Sequence, residues 1–328
     1  MTGEHEVPGI GRIDPGSGMR LIEVGGDGRF HAGRDGVRAI YLTGDEKVEF
    51  ITYADHTLAY VRSAMGHPAI YPLPPAGIEK PVEAVLMDLD GTSVRSEPFW
   101  MWTIQSTIAE LMGKPGFELE DADVPHVSGH SVSEHLQYCI DKYSPDRSVE
   151  EARRIYFRIA RREMQAILDG GGRADAFVPA PGLKEFLLAL KDRGIKVALV
   201  TSGLHEKAWP EITAAFRVMG LGDPLEFYDA IVTAGSAIRP GQAGTLGELE
   251  AKPHPWLYAE AARVGLGIAP ASRAHCIGLE DSAAGVVAIR LAGFAAIGIE
   301  GGNIRAAGVE PLLRTMKASL LDVLEMLR

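Results

Sequence analysis

The chain has 328 residues, 46% of them hydrophobic, a formal charge of −11 and two cysteines, Cys139 and Cys276. That length suits two domains, or one domain with a large insertion, and the apolar content is enough for real cores. The acidic balance opposes nonspecific nucleic-acid binding, no apolar run is long enough to span a bilayer, and two cysteines make neither a disulfide framework nor a metal cluster.

The N-terminus is rich in Gly, Glu and His and lacks the basic and apolar regions of a signal peptide, so a cytoplasmic location is expected, with no membrane or nucleic-acid partner. Residues 1–18 carry many Gly and Pro and are expected to be loosely ordered. Short strands follow at 21–24, 37–42 and 48–53, separated by glycine-bearing reversals at 25–28 and 44–46. Residues 55–65 read as a short helix. Five prolines between Pro68 and Pro81 suit a fixed-path linker. Residues 1–80 are thus expected to form a small β-rich N-terminal accessory unit with a Pro-rich linker. It is small for a core of its own, so it should pack on the main domain or form a homo-oligomer contact.

Val85, Leu86 and Met87 then read as the end of a buried parallel strand, which opens into Asp88-Leu89-Asp90-Gly91-Thr92. The two aspartates stand two residues apart where the strand becomes a loop. In an open α/β sheet, ligands bind at the carboxyl ends of strands. Paired carboxylates there repel unless a hard cation lies between them, which points to Mg²⁺.

Helices are expected at 98–112, 131–143 and 148–168. The last carries Ala152, Tyr156, Ala160, Met164 and Leu168 on one stripe. A helical block here, without strands, reads as an inserted lid that leaves through Gly170-Gly171-Gly172. From Phe177 the pattern alternates. Helices at 183–192, 204–219, 255–264, 283–292 and 312–327 are interleaved with strands at 195–200, 228–233, 276–279 and 295–299. Such alternation indicates a parallel sheet covered on both faces. Residues 235–250, with four glycines and one proline, interrupt the rhythm as a substrate-facing flap.

Three further strand ends carry polar residues. Thr201-Ser202-Gly203 offers hydroxyl and backbone donors for a phosphoryl group, or a helix cap. Lys252, in Ala251-Lys252-Pro253-His254-Pro255, offers a compact charge on a stiffened segment. Glu280-Asp281-Ser282 adds acidic ligands, or a capped helix start. Each is weak alone. As an ordered set they can hold Mg²⁺, neutralise a phosphoryl group and supply a nucleophile and a general acid–base.

With these motifs the chain resembles the haloacid dehalogenase-like superfamily over residues 82–328, and most closely its helical-cap phosphatases and β-phosphoglucomutase-like branch. The resemblance implies an α/β, Rossmann-like core at 81–98 and 177–328 with a helical cap at 99–176. It implies a Mg²⁺-dependent phosphomonoesterase acting on a small phosphorylated metabolite through an aspartyl phosphate. Asp88 would be the nucleophile and Asp90 the acid–base. Thr201, Ser202 and Lys252 would bind the phosphoryl oxygens. The metal would be held by Asp88, the backbone carbonyl of Asp90, and Asp281, with Glu280 beside it.

A phosphosugar mutase is the nearest alternative, and a silent phospholigand-binding protein the next. The mutases carry a cap histidine and an arginine after a Gly-x-Ser turn. Here Trp100 and Val132 stand near those positions, which favours hydrolysis. Within the cap, Trp100, His130 and Ser131 are candidates for reading the substrate, although Phe99, Trp100 and Trp102 read first as helix-packing groups.

Overall fold

A computed structural model of the chain describes residues 5–13, 18–62, 68–126, 132–173, 175–235 and 250–327. They form two compact units, one of Met1–Ser93, Ala180–Ala208 and Asp223–Arg328, the other of Val94–Pro179 and Trp209–Gly222.

In the first unit, β1 (His5–Val7) and β2 (Gly11–Ile13) make a hairpin, where the glycines and proline had suggested loose order. Val7, Ile10 and Ile13 are buried, and that apolar anchoring fixes the segment. Strands β3 (Arg20–Ile22), β4 (Ala39–Leu42), β5 (Val48–Thr52), β6 (Thr57–Val61) and β7 (Ala69–Pro72) form an antiparallel five-stranded meander. Two expectations are corrected here. Residues 57–61 are a strand, not a helix, because Thr57, Ala59 and Val61 face inward while Leu58 and Tyr60 are half-buried, a period of two. Residues 69–72 pair with that strand instead of serving only as linker; the pairing lies at the sheet edge, where Pro72 is tolerated. Phe50, Ala59 and Val61 join the main core, and Ile40 and Ile51 build a second cluster on the opposite face with Val37.

Strand β8 (Ala84–Asp88) is buried at all five positions. The second unit follows, with β9 (Val94–Arg95), α1 (Glu97–Met112), α2 (Val132–Tyr143), α3 (Val149–Leu168) and β10 (Val178–Pro179). Gly113, at φ 65°, ends α1 in the left-handed conformation that glycine adopts freely. The Ser148 hydroxyl caps α3 by accepting from the Glu151 amide at 3.2 Å. Ile104, Ile108, Leu136, Ile140 and Tyr156 form this unit's core. Beside it Asp123, fully buried, accepts from Tyr138 at 2.8 Å, Tyr143 at 2.5 Å and Lys142 at 2.7 Å.

The chain continues with α4 (Leu183–Asp192), β11 (Lys196–Leu204), α5 (His205–Met219), β12 (Ala230–Gly235), α6 (Trp256–Glu260) and a π-helical turn at Ala261–Gly265. Then come β13 (Cys276–Glu280), α7 (Ala283–Leu291), β14 (Ala295–Ile299), β15 (Leu313–Lys317) and α8 (Leu320–Met326). The helix expected over 312–327 is thus a strand followed by a shorter helix. Leu313–Lys317 pairs with β14 at the sheet edge, and Ser319 caps α8. The six-stranded parallel sheet runs β12-β11-β8-β13-β14-β15, so β8 is central, with β11 and β13 beside it. All three strands end at the same edge. The flap expected at 235–250 lies almost wholly outside the described residues.

Candidate active site

The site is built where β8, β11 and β13 end. Asp88, 6% exposed, closes β8. The turn after it is tied by Ser93, whose amide donates to the Leu89 carbonyl at 3.0 Å and whose hydroxyl donates to the Asp88 carbonyl at 2.5 Å. Gly91 sits at φ +88°, and a β-carbon there would lie 2.2 Å from Asp281 Oδ2, so both backbone and space require glycine. Thr92 Oγ1 donates to Asp281 Oδ1 at 3.1 Å.

Lys252 joins the strand ends. Its Nζ, 5% exposed at the side chain, donates to Asp88 Oδ1 at 2.5 Å, Glu280 Oε1 at 2.6 Å and the Val200 carbonyl at 3.0 Å. Its backbone amide donates to Ser202 Oγ at 3.1 Å. Thr201 is buried where the regular pairing of β11 breaks, three residues before the strand ends, and its Oγ1 accepts from the Gly203 amide at 2.9 Å. Residues foreseen on four separate segments thus meet at one sheet edge.

Glu280 is fully buried, and both of its oxygens are engaged. Oε1 accepts from Lys252 and from the Tyr258 hydroxyl at 3.0 Å; Oε2 accepts from the Ser282 amide at 3.0 Å and hydroxyl at 2.8 Å. Ser282 also caps α7 through the Gly285 amide. Asp90 stands apart from this cluster: its carboxylate accepts two hydrogen bonds from Lys207 Nζ, at 2.9 and 3.0 Å. Lys207 and Tyr258 were not foreseen. The one available signal for Lys207 was its place in the first turn of the helix after Thr201, since such helix starts lie at the ligand-binding edge.

Burial and the charges of Glu280 and Asp281 push the Asp88 carboxyl well above the ordinary carboxylate range, against the opposing pull of Lys252. Burial and Glu280 push Asp281 up to about 7. Burial works against the Lys252 charge, but Asp88 and Glu280 outweigh it and hold that ammonium above its usual value. Ligand oxygens of Asp88, Glu280 and Asp281 converge within 4.8 Å of one another. A hard divalent cation fits this all-oxygen, mutually repelling set, and Asp88 and Asp281 are the members with acceptor capacity to spare. The Asp90 carboxylate is committed to Lys207 and is not among the three that converge.

In the second unit, Trp100 Nε1 donates to buried Glu211 Oε1 at 3.1 Å, and its ring meets those of Phe99 and Phe177. His130 and Ser131 lie outside the described residues.

Residues 82–293, more than half of the chain, match the family model for haloacid dehalogenase-like hydrolases. The protein YhcW of Bacillus subtilis (strain 168) is 26% identical over 212 residues, 65% of this chain and 80% of that protein. Among solved structures, a predicted phosphoglycolate phosphatase from Haemophilus somnus superposes with a TM-score of 0.55 at 20% identity, over 76% of this chain and 99% of its own. CbbY from Rhodobacter sphaeroides, in complex with phosphate, gives 0.51 at 21% identity over 74% and 96%. At these identities the two structures establish a shared fold.

Proposed function

The chain belongs to the haloacid dehalogenase-like hydrolases, and from that premise we propose that it is a Mg²⁺-dependent phosphomonoesterase acting on a small phosphorylated metabolite. The observation that carries this reading is the convergence of Asp88, Glu280 and Asp281 at one sheet edge, with the Lys252 ammonium bonded to the first two.

Asp88 is the nucleophile. Its carboxylate attacks phosphorus, the P–O bond to the leaving group breaks, and an aspartyl phosphate forms. Asp90 gives the departing oxygen its proton, then takes one from the water that hydrolyses the acyl phosphate. To act as donor, Asp90 takes up a proton on one carboxylate oxygen when substrate enters, while the other oxygen keeps its contact with Lys207 Nζ. Lys252, Thr201 and Ser202 hold the phosphoryl oxygens, where fixed donors meet charge shifting in the transition state. Asp88 and Asp281, with the Asp90 carbonyl, would hold Mg²⁺, which when bound lets carboxylate and phosphate approach each other. Glu280 orients Lys252. Trp100 retains its packing role, while reading of the leaving group falls to His130 and Ser131.

Two further points fit this reading. No helix among the described residues is long and apolar enough to cross a membrane. Cys139 and Cys276 are both buried and unpaired, as a reducing cytoplasm allows.

The test is phosphate release from sugar phosphates, nucleotides and small phosphoesters, with Mg²⁺, with EDTA, and with Asp88→Asn. One preferred substrate whose turnover vanishes in both controls supports the proposal. Silence from folded protein that still binds Mg²⁺ and phosphate would overturn it, and isomer formation after priming with a bisphosphate would replace it by the mutase reading.

A further inference from the structure

The antiparallel meander lies before residues 82–293, the span of the family match, yet its last strand meets the Lys252 segment. In β7, Ala69 and Tyr71 are half-buried while Ile70 and Pro72 are exposed, the period of two that turns one face of a strand inward. Tyr71 stands opposite fully buried Ala59 of β6 and packs against the main core. Its hydroxyl is hydrogen-bonded to His254 Nδ1 at 2.7 Å. Its ring meets the His254 ring edge-on, with centroids 5.8 Å apart, and the Trp256 ring in the same manner at 6.1 Å.

His254 is buried, and Pro253 alone separates it from Lys252 in the chain. A lysine ammonium sits on a flexible four-carbon stem, so it is placed only as well as the backbone at its root. That root is fixed by hydrogen bonds. The Lys252 amide donates to Ser202 Oγ, the His254 amide closes a turn on the Ala251 carbonyl at 3.1 Å, and the imidazole is held by Tyr71. The first two are made within the catalytic core, whereas the third comes from the meander. Proline fixes its own φ, so a displacement of His254 passes through Pro253 to Lys252 instead of being absorbed between them. Loss of a hydrogen bond from a buried group carries the cost of desolvating that group, which would drive the imidazole to a new position.

We propose that Tyr71 is a positioning residue for Lys252, acting through His254, and that the N-terminal meander thereby sets the place of the phosphoryl-binding ammonium. The catalytic consequence rests on the phosphomonoesterase reading above.

The test compares Tyr71→Phe with Ile70→Ser, a change on the outward face of the same strand, in full-length protein carrying carbon-13 at lysine Cε. The Lys252 signal is assigned by its loss in Lys252→Arg. Tyr71→Phe is expected to move that signal in the substrate-free protein. It should also lower kcat for a cleaved phosphoester roughly tenfold, as for a small misplacement of a group at the reacting centre, with Tm nearly unchanged. Ile70→Ser should change neither the signal nor kcat. His254→Asn, whose amide can still meet the Tyr71 hydroxyl, should stay closer to wild type than His254→Leu, and this pair decides should Tyr71→Phe not fold. An unmoved Lys252 signal in Tyr71→Phe overturns the proposal, as does an unchanged kcat where the wild type turns over; both leave the phosphomonoesterase reading intact. An equal shift in Ile70→Ser, or equal effects of the two His254 variants, overturns it as well. A wild type that cleaves no phosphoester while Tyr71→Phe still moves the signal supports the positioning contact and overturns the phosphomonoesterase reading instead.

Discussion

Lys207 Nζ is shared almost equally by the two carboxylate oxygens of Asp90, at 2.9 and 3.0 Å. Both side chains are about one-third exposed, so the pair adds little to stability. On the proposed mechanism its weight falls on orientation, since there Asp90 faces the leaving oxygen. Lys207→Met is expected to lower kcat by roughly 10- to 100-fold, as for a lost positioning contact, with little change in Tm. Lys207→Arg should recover part of the rate. Steady-state kinetics with thermal melts would decide, and an unchanged kcat would reduce the pair to a surface ion pair.

Glu280 and Asp281 are adjacent acids with different expected roles. Glu280 already accepts four hydrogen bonds, whereas Asp281 receives one from Thr92 and faces the turn at Gly91. Asp281→Asn should weaken Mg²⁺ binding at least about tenfold, the scale of losing a charged ligand. Glu280→Gln should alter Mg²⁺ affinity far less but lower kcat, because a Gln amide would oppose donors and release Lys252. Calorimetric Mg²⁺ titration of both variants separates the roles; equal losses would make Glu280 a ligand.

Gly285 supports Glu280 from below. A β-carbon there would lie 1.7 Å from Glu280 Oε1, within the first turn of α7, where the backbone has little freedom to retreat. Gly285→Ala is expected to displace the carboxylate, cutting kcat by about 10²-fold or more and lowering Tm. Gly77→Ala is a fair control, because a β-carbon there meets nothing within 4 Å. Similar melts and rates for the two variants would refute the steric account.

The core of this site was readable because each motif follows a buried parallel strand, whose unbroken apolar run ends abruptly in polar residues. Asp88, Thr201 and Asp281 mark three such ends, and Lys252 the loop that crosses them. What that reading lacked was pairing. The five residues Thr57–Val61 have the alternation of a strand, yet beside Asp55 and Met65 they also fit a helix; only their neighbours β5 and β7 settle the matter. Leu313–Lys317 is half-exposed at the sheet edge and so lacks the apolar signature of a central strand. Lys207 illustrates the same limit at the site. It lies 117 residues from Asp90, and no local pattern announces their contact.

The acidic cluster should also make metal-free stability depend on pH in an unusual direction. Asp281 is held at about 7 by burial and by Glu280, whereas an unfolded aspartate titrates near ~4. Between those values the folded chain binds more protons than the unfolded chain, so its stability is greatest at low pH and falls as pH rises toward and through 7. Asp88, raised for the same reasons, acts in the same sense. At roughly 1.4 kcal/mol per pKa unit, the loss amounts to a few kcal/mol. Mg²⁺ reverses the slope, because it binds the deprotonated carboxylates and stabilises the folded state by mass action. Melting curves between about pH 5 and 8 should therefore show Tm falling with pH in EDTA and holding or rising in Mg²⁺. Asp281→Asn should flatten the EDTA series, since an amide has no proton to lose. A metal-free Tm that climbs steadily across this range would mean that Asp281 is ionised in the folded chain throughout, and that the carboxylates do not need a cation between them.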